Sequence, residues 1–172
     1  MRISKPIHFI GLGGAGCNAL EYIHQQGIKA KYTGISYLER PHLPKDIHFI
    51  TFVRQSKWQL FDGSKLFTQH CRYILLAGLG GNTGSYLVEE LTQLLKARHI
   101  EFLTICSFPF SLEGNQRRIT AEKVKTRFES TVNFICFDLN FIIRTWGDQT
   151  LSSAFEKADQ QFYWLSQGLN FN

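Results

Sequence analysis

The sequence predicts an α/β fold: a three-layer, Rossmann-like, mostly parallel sheet with helices on both faces. Apolar runs of strand length alternate along the chain with segments whose apolar residues recur at helical spacing. Two glycine-rich segments, Gly11-Leu12-Gly13-Gly14-Ala15-Gly16-Cys17-Asn18 and Gly78-Leu79-Gly80-Gly81-Asn82-Thr83-Gly84-Ser85, each follow an apolar run and precede a helical pattern. Tyr73-Ile74-Leu75-Leu76-Ala77 is continuously apolar, as a strand covered on both faces of a parallel sheet must be.

The elements follow in order. Pro6-Ile7-His8-Phe9-Ile10 reads as a strand ended by Gly11, and Ala15, Ala19, Leu20 and Ile23 mark a helix running to Gly27. Residues 32–36 and 47–53 read as the next strands, with Pro41 and Pro44 in the loop between them. Residues 54–63 are polar and aromatic without periodicity, and residues 64–70 suggest a short helix. After strand 73–77 and the second glycine loop, Leu87, Val88, Leu91, Leu94 and Leu95 form an amphipathic stripe. Strand 102–107, a turn at Phe108-Pro109-Phe110, helix 120–130, strand 132–137 and helix 150–167, capped by Thr150 or Ser152, complete the pattern.

With 172 residues and 44% hydrophobic content, the chain can bury one core, so residues 1–172 are expected to form a single domain. A charged fraction of 19% and 15 phenylalanines exclude a disordered tail. The net charge of +5 favours anionic partners, but no Lys/Arg run exceeds Arg117-Arg118, which argues against a nucleic-acid groove. Four cysteines without CxxC spacing read as reduced structural thiols of a cytoplasmic protein. The short apolar stretch before Gly11 is neither a signal peptide nor a transmembrane segment. The six histidines are scattered without metal-ligand spacing, so no metal site and no catalytic residue is assigned.

The glycine loops carry the chemistry. Glycine allows positive φ and close backbone approach, and the N–H groups and dipole of the following helix supply partial positive charge, so each loop can clamp a phosphate. The Gly11-x-Gly13-x-x-Gly16 spacing alone is the dinucleotide fingerprint, for which Glu39 is placed as the ribose-binding acid. That reading leaves the second loop unexplained. Two loops opening parallel βα units suggest a polyphosphate held from both sides, whereas glycines that merely permit tight turns would account for either loop alone.

The residues Gly11 to Leu20 resemble the first nucleotide loop of the FtsZ family of cell-division GTPases, and Ala77-Gly78-Leu79-Gly80-Gly81-Asn82-Thr83-Gly84-Ser85 resembles the tubulin/FtsZ signature loop that wraps the phosphates. Phe108-Pro109-Phe110-Ser111-Leu112-Glu113-Gly114-Asn115-Gln116-Arg117 is similar to the family segment whose Glu and Arg approach ribose and phosphates, Asn140 matches its ribose- and base-reading Asn, and Ala154-Phe155-Glu156-Lys157-Ala158-Asp159 resembles its base-recognition helix. The likeness spans nearly the whole chain and implies the nucleotide-binding half of that family, with GTP or GDP as ligand and Mg2+ accompanying GTP. It implies that Gly13, Gly14, Gly80, Gly81, Asn82, Thr83 and Gly84 form the phosphate cradle, that Glu113 and Arg117 contact the ligand, that Asn18 and Asn140 hold base or sugar, and that Phe155 stacks on guanine while Asp159 accepts from its N1 and exocyclic amine. A carboxylate accepting two N–H groups can select guanine over adenine. Taken singly, Phe155 reads equally as core, Asp159 as a solvated helix position, and Glu113 with Arg117 as a surface pair.

Hydrolysis in that family uses acidic residues beyond the length of this sequence, and its activation domain has no counterpart here, so the expectation is at most a weak GTPase. The implied role is a regulatory or structural module that pairs with itself or with a full-length FtsZ-like protein. Asn82, Tyr86 and Glu89 depart from the family's small residues in the signature loop; Asn82 tolerates positive φ, and Tyr86 is expected to reduce the pocket. The alternatives are a Rossmann-type NAD(P)-binding oxidoreductase domain and a nucleotide-free interaction module.

Overall fold

The computed structural model describes residues 5–38, 40, 42–51, 63–147 and 150–168. Strand and helix alternate as β1 (Ile7–Leu12), α1 (Gly13–Gln25), β2 (Lys31–Ser36), β3 (His48–Thr51), β4 (Arg72–Gly78), α2 (Asn82–Ala97), β5 (Phe102–Phe108), a 3-10 turn (Ser111–Glu113), α3 (Asn115–Phe128), β6 (Phe134–Asp138), α4 (Asn140–Trp146) and α5 (Leu151–Gln167). The six strands form one sheet in the order β3-β2-β1-β4-β5-β6, and every pairing is parallel.

Alternation along each strand sends side chains to two separate cores. On one face Ile10, Leu75, Ala77 and Cys106 pack under Leu87, Val88, Leu91 and Leu95 of α2 and Ala121, Val124 and Phe128 of α3. On the other, Phe9, Ile74, Leu76, Leu103 and Ile105 pack under Ala19, Leu20 and Ile23 of α1 and Phe162 of α5. A smaller cluster of Phe110, Leu139, Ile142, Ala154 and Ala158 joins the 3-10 turn to α4 and α5 at one end of the sheet. This is the three-layer parallel architecture the alternating pattern predicts.

Three elements differ from the sequence reading. Residues 64–70 form turns, not a helix: Thr68 N donates to the Tyr73 hydroxyl (2.8 Å), which in turn donates to Leu66 O (3.4 Å), so this buried tyrosine takes up backbone groups that helical bonds would otherwise satisfy. Helix α3 starts at Asn115, ahead of the expected residue 120, because Gly114 (φ 98°) supplies the break; its buried stripe of Ala121, Val124 and Phe128 begins only later, so apolar spacing cannot locate its first turn. Helix α4 was not anticipated, being a seven-residue element with one buried residue, Ile142. Thr150 rather than Ser152 caps α5, its hydroxyl accepting from Ser153 N at 3.2 Å. The predicted strand 47–53 is observed as β3, with residues 52 and 53 and the stretch 54–62 outside the described residues.

Candidate functional site

Strands β1 and β4 are neighbours, paired Gly11↔Leu76 and Leu12↔Ala77, and the strand order runs outward from them in opposite directions. Such a reversal leaves a crevice at the carboxyl ends of the strands. Both glycine loops follow these two strands and therefore emerge side by side. Gly13 sits at φ 68°, and a Cβ there would lie 3.0 Å from Gly84 N, so the loops touch. Helices α1 and α2 open on this crevice with no side-chain cap and no acid in the first turn. Among the described residues their leading N–H groups thus have no N-cap side-chain acceptor, and the dipoles point into the same space.

That space is a cavity of about 300 Å³ lined by Gly14, Gly81, Asn82, Thr83, Gly84, Glu113, Arg117 and Phe155, among others. Gly80 holds φ 89° with its absent Cβ facing Arg117 O at 2.6 Å, so the second loop is pressed against the first turn of α3. Glu113 braces the wall: Oε1 accepts from Phe110 N (2.9 Å) and Oε2 from Arg117 Nη1 (2.8 Å). Arg117 remains 57% exposed at its side chain, so the guanidinium stays available to an anion in the cavity.

A second cavity of about 310 Å³ adjoins the first, sharing Gly14, Ala15, Glu113, Arg117 and Phe155 and adding Asn18, Arg40 and Asp159. Phe155 is 38% exposed and rests edge-on against Phe110 at 5.5 Å, leaving its ring at the cavity wall rather than in the core. Burial pushes the Asp159 carboxyl up to about 7, with Arg40 opposing the rise and Glu156 and Glu21 adding to it. Asn18 Oδ1 accepts from Arg40 Nη1 (2.6 Å), while Arg40 Nη2 donates to Gly14 O (2.9 Å).

The structure thus brings twelve of the thirteen residues singled out from the sequence to one groove or its immediate backing: Gly13 and Gly80 as packing points between segments, the rest as lining. Asn140 lines neither cavity; its Oδ1 accepts from Ser111 N (3.0 Å) and its Nδ2 donates to Asp138 Oδ1 (2.9 Å), which ties the start of α4 to the 3-10 turn. Arg40 escaped the sequence reading. The available signal was a cation in the loop after the second strand, where Rossmann folds read the ribose; Glu39, weighed for that role, lies outside the described residues.

The signature-loop departures resolve differently from expectation. Asn82 does not take positive φ, which Gly80 supplies; Asn82 is the first residue of α2. Tyr86 packs against the α2–α3 core and does not line the cavity, so it does not reduce the pocket. Glu89 pairs with Arg127 on α3 at 3.6 Å. All four cysteines are free, and burial raises Cys17 to about 11 and Cys136 to about 12, so both are thiols without nucleophilic character. Among the described residues no three His, Cys, Asp or Glu cluster as metal ligands, and no helix is long and apolar enough to cross a membrane.

No family model matches the chain. It is 24% identical over 172 residues to the cell division protein FtsZ of Mycoplasmopsis pulmonis (89% of this chain, 44% of that protein) and 23% identical over 181 residues to FtsZ 1 of Archaeoglobus fulgidus (92% and 48%). The solved FtsZ dimer of M. jannaschii superposes with a TM-score of 0.77 at 18% identity, covering 95% of this chain and 53% of that one. The chain has an FtsZ/tubulin-like fold. CetZ2 from Haloferax volcanii, solved as a GTPγS-bound protofilament, shares it at TM-score 0.73 and 16% identity, over 92% of this chain and 56% of that chain. The FtsZ-like chain spans about half the length, or less, of the curated relatives it matches.

Proposed function

We propose that the protein binds a guanine nucleotide in the groove at the β1/β4 crevice and serves as a regulatory or structural module of an FtsZ-like filament in the cytoplasm. The convergence of two uncapped helix N-termini on one cavity carries this reading. Main-chain amides of residues 13–16 and 82–85 would hold the phosphates, joined by Arg117. Phe155 would stack on the base, and Asp159, once ionised, would accept from its N1 and N2 hydrogens. A hydrated Mg2+ arriving with GTP would meet Thr83, which lines that cavity and carries a hydroxyl oxygen of the kind such an ion takes.

Binding is better supported than hydrolysis. Among the described residues the acid lining the phosphate-side cavity is Glu113, and both of its oxygens are already occupied by Phe110 N and Arg117. A carboxylate so engaged is poorly placed to orient water, so turnover by these residues alone is expected to be slow. Exposed Leu112 and Leu151 sit on the 3-10 turn and on α5, which contribute Glu113 and Phe155 to the groove, and exposed Phe141 and Trp146 sit on the adjacent α4, apolar surface suited to a second subunit.

Thermal melts with GTP, GDP and NADH test the ligand. The expected result is stabilisation by the guanine nucleotides by mass action and none by NADH. An unchanged melting temperature with all three would overturn the reading, and a response to NADH alone would favour the dinucleotide alternative, which the strand order β3-β2-β1-β4-β5-β6 also fits. Co-sedimentation with polymerising FtsZ tests the filament role, and unaltered filament length and GTP turnover would refute it.

A further inference from the structure

We propose that Arg40 is a positioning residue: by fixing the Asn18 carboxamide in one orientation, it sets the preference of the groove for guanine over adenine. The inference rests on the guanine-nucleotide reading above. Arg40 stands in the loop that follows β2, and its guanidinium spans the first turn of α1, donating from Nη1 to Asn18 Oδ1 at 2.6 Å and from Nη2 to Gly14 O at 2.9 Å. A guanidinium has donors and no acceptor, so only the oxygen of the Asn18 amide can face it. Turning the amide over would oppose N–H to N–H.

The second anchor matters. With Gly14 O holding Nη2, the planar fork cannot swing freely about its bond to Asn18, and the amide is held in register with the helix. Fixing Oδ1 toward Arg40 commits Nδ2 as the Asn18 group available to the cavity. Asp159 lines the same cavity and, as a carboxylate, is an acceptor. Among the groups lining this cavity, Asn18 and Asp159 therefore form a donor and acceptor pair at set places.

Guanine matches that pattern, presenting O6 as an acceptor beside N1–H and N2–H donors. Adenine presents an N6 donor and an N1 acceptor, and so meets donor with donor and acceptor with acceptor. Asn18 and its bond to Arg40 are exposed, and a bound base would cover them; leaving polar groups unpaired beneath it in this way is what gives hydrogen-bonding sites their discrimination. Without Arg40 the amide of Asn18 is free to turn, and its oxygen can then accept from adenine N6. Selectivity would narrow although Asn18, Phe155 and Asp159 all remained.

The test is the ratio of GDP to ADP affinity, measured by calorimetry at pH 8 for the native protein, Arg40→Met, Asn18→Asp and the double variant. Arg40→Met keeps the side-chain stem and removes the donors. The native ratio is expected to be about 100-fold or more. Arg40→Met should lower it roughly tenfold, with much of the change a gain for ADP, as expected when one oriented hydrogen bond is lost. Asn18→Asp has no amide to orient, so adding Arg40→Met to it should leave the ratio where Asn18→Asp alone puts it. A merely structural Arg40 would weaken both nucleotides alike and leave the ratio unchanged, which overturns the inference while the nucleotide reading stands. Failure of the native protein to bind GDP overturns that reading itself. Should Arg40→Met not fold, Arg40→Lys, which cannot span both acceptors, should lower the ratio by about two- to fivefold, and an unchanged ratio there is equally decisive.

Discussion

The two ends of the groove are built from different materials. At the proposed phosphate end the cavity is bordered by the glycine-led starts of α1 and α2, with Arg117 and Glu113 beside them, and several of those glycines are packed against neighbouring backbone. At the proposed base end the cavity is lined by side chains from three separated segments: Asn18 on α1, Arg40 after β2, and Phe155 and Asp159 on α5. Where a glycine is packed against neighbouring backbone, as at Gly13, Gly16 and Gly80, the site cannot be altered without disturbing the fold, whereas a side-chain site can be altered at smaller cost to stability or with a gain. Function and folding are tied together at those glycines and separable at the side-chain end.

The largest expected effect tests the first half of that contrast. A Cβ at Gly16 would lie 2.1 Å from Leu76 O, a backbone atom of the central strand β4, so Gly16→Ala must push α1 off the sheet. The expected loss is roughly 3–4 kcal/mol, or about 6–16 °C in melting temperature, read by thermal denaturation. A melt within a degree or two of the native one would show that the loop tolerates displacement and would dissolve the contrast.

Asp159→Asn tests the second half, because binding and stability should move in opposite directions. An amide cannot accept both guanine N–H groups as a carboxylate does, so GDP affinity should fall by about 100-fold in calorimetry. Stability should rise at alkaline pH. The folded-state pKa is raised above the ordinary carboxylate value, so the stability contribution of this group is full below that ordinary range and is lost as pH rises through about 7. The Asn variant should therefore melt higher than the native protein at pH 8 and show a smaller pH slope. Equal slopes would remove Asp159 as the buried acid. The same ionisation predicts that GDP binding to the native protein strengthens from pH 6 to pH 8, and that this dependence disappears in Asp159→Asn.

Phe155→Ala should cost roughly 1–2 kcal/mol of nucleotide binding through lost stacking. Its effect on stability should be smaller than that of a core phenylalanine, because the ring is 38% exposed and loses chiefly its contact with Phe110. Parallel titration and melting curves separate the two. The smallest effect is reserved for Gly81→Ala. Gly81 has ordinary extended angles (φ −82°, ψ 153°) and open space where a Cβ would go, so stability should stay within about 0.5 kcal/mol. Phosphate binding should weaken a few-fold as the methyl enters the cavity. A large stability loss there would mean that the phosphate end has no position where binding can be varied alone.

Legibility followed the same division. The strands, α1, α2 and α5, and both loops could be read because period, apolar run length and glycine spacing are local signals, and Tyr73 to Ala77 could belong only to a covered strand. Helix α4 and the first turn of α3 gave no such signal, since an element held by Ile142 alone, or a turn without apolar residues, leaves no periodicity to detect. The false helix at residues 64–70 failed for a non-local reason, the capture of its backbone by the Tyr73 hydroxyl. Arg40 was illegible for the same kind of reason. Nothing in its neighbours along the chain tells that a guanidinium in a loop will close on Asn18, 22 positions earlier.

Sequence by itself determined that this is a parallel α/β chain with two phosphate-sized loops, because glycine conformational freedom and apolar periodicity are properties of short segments and need no partner. Only the tertiary structure decided that β1 and β4 are neighbours, that their loops therefore share one cavity, and that Arg40, Asn18 and Asp159 meet at its far end. The physical reason is that strand order and side-chain convergence are set by long-range packing of the two cores, whose contacts join residues far apart in the chain.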